Sequence, residues 1–241
     1  MKYLVFLIYI IFIPKILFAQ SYECYSDSGK YVDLGLPSGT LWSSCNYGAN
    51  IPTEMGNYIA WGELTEKQSY LWDNYKYKIG SYMDEGTDVY VMSKYVTDST
   101  SYHFDNLKTL EKEDDIAFMS SQGRIPSIDD FKELMENCNY GWGMYDNVKG
   151  LLVIGRNGNS IFFPAAGFYD GKTCNSSGNI GFYWTNQVRN STMSMSSNSF
   201  AFAENRSAHI EKCPRYWGNT IRTVIYKNTY PKGHFPLGCK R

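Results

Sequence analysis

The segment GLLVIGRNGNSIFFPAAG, residues 150–167, constrains the fold more than any other stretch of the chain. Two apolar runs, Leu151–Ile154 and Ser160–Phe163, flank the dipeptide Asn157-Gly158. That dipeptide suits the positive φ angles of a type I′ turn, so the segment is predicted to be a β-hairpin. The chain is therefore expected to contain antiparallel strands.

Short extended pieces separated by turn formers recur on both sides of this hairpin. Further strands are predicted at Val32–Leu34, Thr40–Ser43, Tyr58–Trp61, Phe182–Thr185, Ser199–Ala203 and Ile221–Tyr226. Trp42 and Trp61, which lie in the turn-rich opening segment, are predicted to fill the core. Residues Ser69–Thr109 are polar, rich in tyrosine and without a period, which predicts a long surface loop.

Two helices are predicted between the first strands and the hairpin. Leu110–Met119 carries acidic residues in its N-terminal half, where they complement the helix dipole. Ser127–Asn137 begins with an N-capping serine and has Asp130 at the capping-box position. Short strands, two helices and then a run of antiparallel strands predict an α+β domain, with the helices against one sheet.

The N-terminus has the pattern of a secretory signal peptide. A basic start is followed by the apolar run Tyr3–Ile13, and Leu17-Phe18-Ala19 offers a cleavage point, which predicts a signal peptide over residues 1–19. The alternative is an uncleaved anchor, but Pro14 and Lys15 interrupt the run well short of the ~20 residues that span a bilayer. The mature chain is expected to be exported, periplasmic, outer-surface or extracellular, without a membrane span.

Composition excludes some partners and leaves others open. A formal net charge of -1 gives no basic footprint for nucleic acid. Aromatic residues make up 17% of the chain and tyrosine occurs 21 times. Such rings either pack half-buried in a β-rich protein or form a binding surface, because tyrosine offers a flat apolar face together with a hydroxyl.

The sequence shows no constellation that would carry catalysis. The histidines His103, His209 and His234 are far apart, and none has metal-ligand spacing to a cysteine. Ser38 lies in a turn without a nucleophile-elbow motif. Glu63 follows a tryptophan and a glycine, a pattern found in sugar sites but also where acids cap turns. Neither catalytic residues nor a metal nor a cofactor is predicted.

Six blocks in one order resemble a known family. They are YVDLGLPSGTLWSSCNYGA…GNYIAWGE, LEKEDDIA, GRIPSIDDFKELMENC, NGNSIFFPAAG, GFYWTN and RYWGNTIRTV, within residues 31–224. Together they resemble the Fibrobacter succinogenes major paralogous domain of Bacteroidetes secreted proteins. The resemblance implies a C-type-lectin-like or formylglycine-generating-enzyme-like fold, that is, an α+β domain of short antiparallel strands with two helices and long loops. The chain departs from the family at Ser120–Ser127, which lacks the usual tryptophan, and at Ile221–Val224.

The resemblance also implies a domain organisation and a disulfide pattern. Residues 20–30 would be a lead-in, 31–225 a single domain and 226–241 a C-terminal extension. Six cysteines in an exported chain suggest disulfides. From their places inside and outside the shared blocks, the expected pairs are Cys45–Cys138, Cys24–Cys239 and Cys174–Cys213, one of many connectivities that six cysteines allow.

These observations predict an exported, non-enzymatic binding or adhesion domain that recognises a glycan or a surface protein through its loops. The expected ligand-binding residues combine aromatic rings with donors and acceptors, and are Trp184, Asn186, Arg215, Tyr216 and Trp217. Burial in the core is the competing interpretation for Trp184. The alternatives for function are an enzyme, either a formylglycine-generating-type oxidase with a reactive cysteine pair or a glycosidase, and a structural subunit of a surface assembly.

Overall fold

The computed structural model describes residues 31–189 and 194–226. The strands are β1 (Tyr31–Asp33), β2 (Thr40–Ser43), β3 (Lys78–Asp84), β4 (Thr87–Met92), β5 (Asn139–Tyr145), β6 (Val148–Ile154), β7 (Ser160–Pro164), β8 (Phe168–Asp170), β9 (Thr173–Asn175), β10 (Ile180–Val188), β11 (Ser196–Ala203), β12 (Arg206–Pro214) and β13 (Val224–Tyr226). The α-helices are α1 (Ile116–Met119) and α2 (Ile128–Asn137), and single 3-10 turns lie at Trp72–Asn74 and Lys112–Asp114.

The strands form five small antiparallel sheets. Their orders are β1-β2-β13, β3-β4, β5-β6-β7, β8-β9 and β10-β11-β12. Strand β13 pairs with β2 and sets Val224 opposite Trp42, so the first and last described strands meet in one sheet. Isolated bridges join connecting segments to each other, as Ile59 with Asn219, or to a strand, as Thr220 with Tyr183 of β10.

The predicted α+β, C-type-lectin-like class is wrong. Strand accounts for 43% of the structure and helix for 10%, which is a β-rich fold rather than two helices set against a sheet. The predicted helix Leu110–Met119 shrinks to the four residues of α1, because the Asp115 carboxylate caps the chain at that point. It accepts hydrogen bonds from Ala117 N at 2.9 Å and Phe118 N at 3.2 Å, so the α-helix begins only after it.

The second predicted helix is confirmed as α2. Ser127 Oγ accepts from Asp130 N at 3.1 Å, and Asp130 Oδ2 accepts from Ser127 N at 2.6 Å, which completes the capping box. Arg124 also donates to both carboxylate oxygens of Asp130, at 2.6 and 2.8 Å. Burial alone would raise the pKa of Asp130, but the hydrogen bonds from Arg124 and Ser127 outweigh it and lower the pKa.

The predicted hairpin is confirmed as β6 and β7, but its turn is not type I′. Only Gly158 of the central dipeptide has a positive φ, of 85°. Gly158 N donates to Gly155 O at 3.0 Å, and Gly155 N donates to Asn159 O at 2.8 Å. The connection is therefore a three-residue loop with glycine in the left-handed position, the next commonest hairpin type.

Two buried clusters form the core. Trp42 lies in the cluster under the hairpin and α2, together with Phe131, Phe163, Phe200 and Phe202. Trp61 lies in the other cluster, together with Tyr75, Tyr77, Tyr95 and Trp184. The prediction that the two early tryptophans fill the core is confirmed, since both are almost completely buried.

The predicted loop Ser69–Thr109 contains the hairpin β3–β4. Every residue from Ser81 to Asp88 is exposed, so the strands show no apolar alternation from which they could have been recognised. The predicted signal peptide 1–19, the lead-in 20–30 and the C-terminal extension beyond Tyr226 lie outside the described residues. No helix in the described ranges is long and apolar enough to cross a membrane.

Candidate ligand-binding site

Trp184 and Asn186, both on β10, do not form a surface site. Trp184 is fully buried, and its Nε1 donates to Ile59 O at 2.7 Å. The backbone of Asn186 joins β10 to its neighbours, because its N donates to Pro126 O and its O accepts from Leu110 N, both at 2.8 Å. The two residues therefore hold the core together, and the prediction of ligand contact by Trp184 is corrected.

Arg215 is also a core residue. Its guanidinium donates to Lys94 O and Tyr95 O, and its central carbon lies 5.1 Å from the centroid of the Trp61 ring. Burial lowers the pKa of this group, with no carboxylate hydrogen-bonded to it in the described structure. Arg215 was predicted to bind a ligand as a donor beside aromatic rings, whereas here its guanidinium fills the space between loop carbonyls and the Trp61 ring.

Tyr216 and Trp217 do reach the surface. Both are half-buried, and Tyr216 OH donates to Asp170 Oδ1 at 3.2 Å. The Trp217 ring stacks on Phe168, with centroids 4.1 Å apart. These are the only two of the five predicted residues that combine an aromatic ring with partial exposure.

The Tyr216 ring joins a cluster that the sequence did not suggest. Its centroid lies 4.7 Å from that of Trp72, and Trp72 stacks on Tyr90 at 4.8 Å. Lys78 Nζ lies 5.1 Å from the centroid of the Tyr90 ring, close enough for a cation–π contact. The half-buried rings of Trp72, Tyr90 and Tyr216 thus form one aromatic cluster, with Lys78 at its edge.

An open groove with a volume of about 330 Å³ adjoins this cluster at Tyr90. Hairpin β3–β4 forms one wall, and the loop at 96–103 forms the other. Its lining combines the rings of Tyr82, Tyr90 and Tyr102 with the apolar side chains of Val89, Val91, Met92 and Val96 and the polar side chains of Asp98, Thr100, Ser101, His103 and Ser194. Tyr102 is 96% exposed and Tyr82 is 55% exposed, so both rings are accessible to a ligand.

The Asp105 carboxylate holds the loop that forms the second wall. It accepts from Tyr95 N at 2.7 Å, Val96 N at 2.8 Å and Leu107 N at 3.0 Å. Asp105 N and Asn106 N donate in turn to Val96 O. Because both ends of the loop are tied in this way, the backbone that forms this wall of the groove is preformed.

Asp98 supplies a carboxylate to the groove. Its Oδ1 accepts from Thr100 N at 2.9 Å and from Thr100 Oγ1 at 2.7 Å. These hydrogen bonds lower the pKa of Asp98, so the group is ionised at neutral pH. Both bonds use Oδ1, which leaves Oδ2 as the oxygen offered to a ligand donor.

The cysteines do not pair as predicted. Cys138, Cys174 and Cys213 are free, so neither Cys45–Cys138 nor Cys174–Cys213 is formed. Cys174 lies in β9 beside Ala166 O, whereas Cys213 is buried in β12, and Cys138 ends α2. Cys45 is disulfide-bonded, and its partner is none of these three. The predicted pair Cys24–Cys239 lies outside the described residues.

Burial makes the free thiols poor nucleophiles. It raises the pKa of Cys138 to about 11 and that of Cys213 to about 12, and it also raises the pKa of Cys174. Among the described residues, no group of three or more histidine, cysteine, aspartate or glutamate side chains could hold a metal ion.

The free and bonded cysteines predict a labelling pattern. When the protein is denatured without reductant and treated with iodoacetamide, we expect Cys138, Cys174 and Cys213 to be modified and Cys45 to be protected. Peptide mapping by mass spectrometry measures this directly, and treatment after reduction is the control in which Cys45 is modified as well. Modification of Cys45 before reduction, or protection of Cys174, would contradict the assignment.

No protein-family model, curated protein or solved structure matches this chain.

Proposed function

We propose that this chain is an exported binding protein that recognises a carbohydrate through the groove between hairpin β3–β4 and the loop at 96–103. The observation that carries the proposal is the lining of the groove, where accessible tyrosine rings stand beside a carboxylate and several hydroxyls. Its volume of about 330 Å³ falls in the range of small-molecule sites. Export and membership of the major paralogous domain family stay predictions from the sequence.

The chemistry of the lining favours a sugar over a purely apolar ligand. A sugar ring has apolar C–H faces, which stack on Tyr82 or Tyr102, and a rim of hydroxyls. Asp98 Oδ2 is an acceptor for such a hydroxyl, and an O–H···O⁻ hydrogen bond is among the stronger kinds. Thr100 Oγ1, which donates to Asp98, can still accept, and Ser101 adds a hydroxyl that donates or accepts. A preformed site of this kind loses little conformational entropy on binding.

The alternative functions have less support. A formylglycine-generating-type oxidase needs a reactive cysteine, whereas burial raises the pKa of each free thiol in the described structure. Glu63, which the sequence left open as a sugar-site acid, accepts from Lys67 Nζ at 2.7 Å and from Lys76 N at 2.8 Å. The Glu63 carboxylate is buried, and these contacts give it a structural role, because they fix the chain after Trp61.

A glycan array probed with the full chain tests the proposal, followed by titration calorimetry with the oligosaccharide that binds. Tyr102→Ala is expected to weaken binding about tenfold, because it removes an exposed stacking face. Phe118→Ala, which removes an exposed ring on α1 outside the groove, is the matched control and should leave the affinity unchanged. The proposal fails if the array shows no binding, or if Tyr102→Ala binds as tightly as the control.

A further inference from the structure

Strand β5 presents an edge that lacks the usual protection against strand pairing. It pairs with β6 over seven residues, from Asn139 to Tyr145, with no register shift, and β6 is the one strand it pairs with in the described structure. The strand NYGWGMY contains no charged residue and no proline. Met144 is 61% exposed and Tyr140 is 40% exposed, so the edge also carries apolar surface.

Two other long edge strands of the same molecule are protected. β12 carries Arg206, Glu211 and Lys212, and its pairing with β11 is irregular between Ala201 and Ala203. β3 carries charged residues at both ends and has a register shift after Lys78. Charges and bulges are the devices by which edge strands avoid pairing with other chains. Their absence from β5 marks this edge as one that can accept another strand.

The sequence of β5 suits a second copy of itself. Gly141 and Gly143 lie on either side of Trp142, and the large side chains Tyr140 and Met144 lie beyond them. In an antiparallel pair centred on Trp142, each glycine faces the partner's other glycine, and Tyr140 faces the partner's Met144. An interface between identical chains related by a two-fold axis must be self-complementary in this way.

We propose that two copies of this chain associate antiparallel through β5, so that the sheets β5-β6-β7 of both copies join into one six-stranded sheet. Main-chain hydrogen bonds along the edge hold the copies together, as in strand addition. Residues directly opposite on antiparallel strands have their Cβ atoms about 5 Å apart, within reach for contact between a tyrosine ring and a methionine sulfur.

The strand is preorganised for this pairing. Trp142 packs on Phe202 with ring centroids 6.3 Å apart, which anchors the middle of β5 to the core. A Cβ added at Gly141 or Gly143 would meet nothing within 4 Å, so the sheet face at both glycines is open. The contact is small, because it rests on one strand from each copy, and the expected dimer has micromolar affinity.

Sedimentation velocity over a micromolar concentration series tests the proposal, with two double variants that differ only in the sign of one charge. In Tyr140→Lys/Met144→Lys, each lysine at 140 faces a lysine at 144 of the partner subunit, and the dimer should weaken about tenfold or more. In Tyr140→Lys/Met144→Glu, each lysine faces a glutamate, and the dimer should be restored relative to the first variant.

Both variants change the same two exposed positions, and circular dichroism checks that both retain the wild-type fold. Within one chain these positions lie four residues apart on a strand, too far for a direct contact. Position 144 also faces Lys149 of β6 in its own chain, so the free energy of unfolding of each variant is measured as well, and an association difference without a matching stability difference is assigned to pairing between chains. A wild-type protein that stays monomeric overturns the proposal, as does equal association of the two variants. Neither result depends on whether the groove binds a carbohydrate.

Discussion

Replacement of Arg222 by alanine is expected to lower the free energy of unfolding by about 3–5 kcal/mol, among the largest effects of any single substitution in this chain. Arg222 is completely buried, and burial lowers its pKa to about 10, so the side chain stays charged at neutral pH. Its guanidinium donates to three acceptors, on Ser43, Asn46 and Phe162, and its loss leaves them buried without this donor.

The contacts of Arg222 explain the size of the effect. Nε donates to Asn46 Oδ1 and Nη1 donates to Ser43 O, both at 3.0 Å, while Nη2 donates to Phe162 O at 2.6 Å. The guanidinium lies 4.6 Å from the centroid of the Phe163 ring. One cation thus links the end of β2 to β7. An unsatisfied buried polar group costs about 1–3 kcal/mol, and the cavity adds to that.

Denaturant unfolding of three variants measures the effect and separates its causes. Arg222→Met fills most of the volume but leaves the acceptors unpaired, so its stability should lie between those of the wild type and Arg222→Ala. Arg206→Ala is the matched control, because Arg206 is exposed and pairs with Glu211 at the surface, and it should change stability by less than about 1 kcal/mol. Wild-type stability of Arg222→Met would show that the hydrogen bonds contribute nothing.

The parts of the fold that the sequence predicted are those with local signals. The hairpin β6–β7 was found because Asn157-Gly158 separates two apolar runs, and α2 was found because Ser127 and Asp130 form a capping box. Even in the hairpin β6–β7 the predicted turn type was wrong, because Asn157 does not have the positive φ angle that a type I′ turn requires. A three-residue loop and a two-residue loop place glycine in similar surroundings, so the dipeptide alone could not distinguish them.

The predicted fold class was wrong because several strands are exposed to solvent on both faces or along most of their length. β3 and β5 are mostly exposed, and their residues do not alternate between apolar and polar. The sequence of β12 is mostly polar and also lacks a regular apolar alternation. Such strands form because a neighbouring strand offers hydrogen-bond partners, and that neighbour is known only once the chain has folded.

The binding residues were predicted in part, and the errors have a common cause. Aromatic type and loop position identified Tyr216 and Trp217, which reach the surface. The predicted set also included Trp184 and Arg215, because residue type alone does not distinguish a core ring or a buried guanidinium from an exposed one. The groove depends on the packing of the loop at 96–103 against β3–β4, a non-local contact that Tyr102 and Asp98 do not reveal in the sequence.

The Asp114 carboxylate is the centre of the second interaction whose removal should have a large effect. Its Oδ1 accepts from Lys76 Nζ at 2.6 Å, and its Oδ2 accepts from Lys94 Nζ at 2.6 Å and from Tyr95 OH at 2.7 Å. The carboxylate is buried, while both lysines reach solvent. Burial alone would raise the pKa of Asp114, but the hydrogen bonds from Lys76, Lys94 and the tyrosines outweigh it and hold the pKa well below its usual value.

Asp114→Asn is expected to lower the free energy of unfolding by about 2–3 kcal/mol at neutral pH, less than for a fully buried ion pair because water screens the lysines. The amide has the shape of the carboxylate, but its NH2 group is a hydrogen-bond donor and would face the donors of Lys76, Lys94 and Tyr95. Glu113→Gln is the matched control in the preceding residue, since the Glu113 carboxylate lies 3.9 Å from Lys94 Nζ and is exposed. The control should change stability by less than about 0.5 kcal/mol.

The pH dependence of unfolding distinguishes the loss of this charge from a general loss of packing. Because the pKa of Asp114 is lower in the folded protein than in the unfolded chain, the stabilisation is fully present above about pH 4 and is lost as the pH falls below that value. The wild type should therefore lose more stability than Asp114→Asn between about pH 5 and about pH 2. Asp130, whose pKa is also lowered, keeps part of the acid dependence in the variant. Parallel curves for the two proteins over this range would mean that the Asp114 charge does not stabilise the fold.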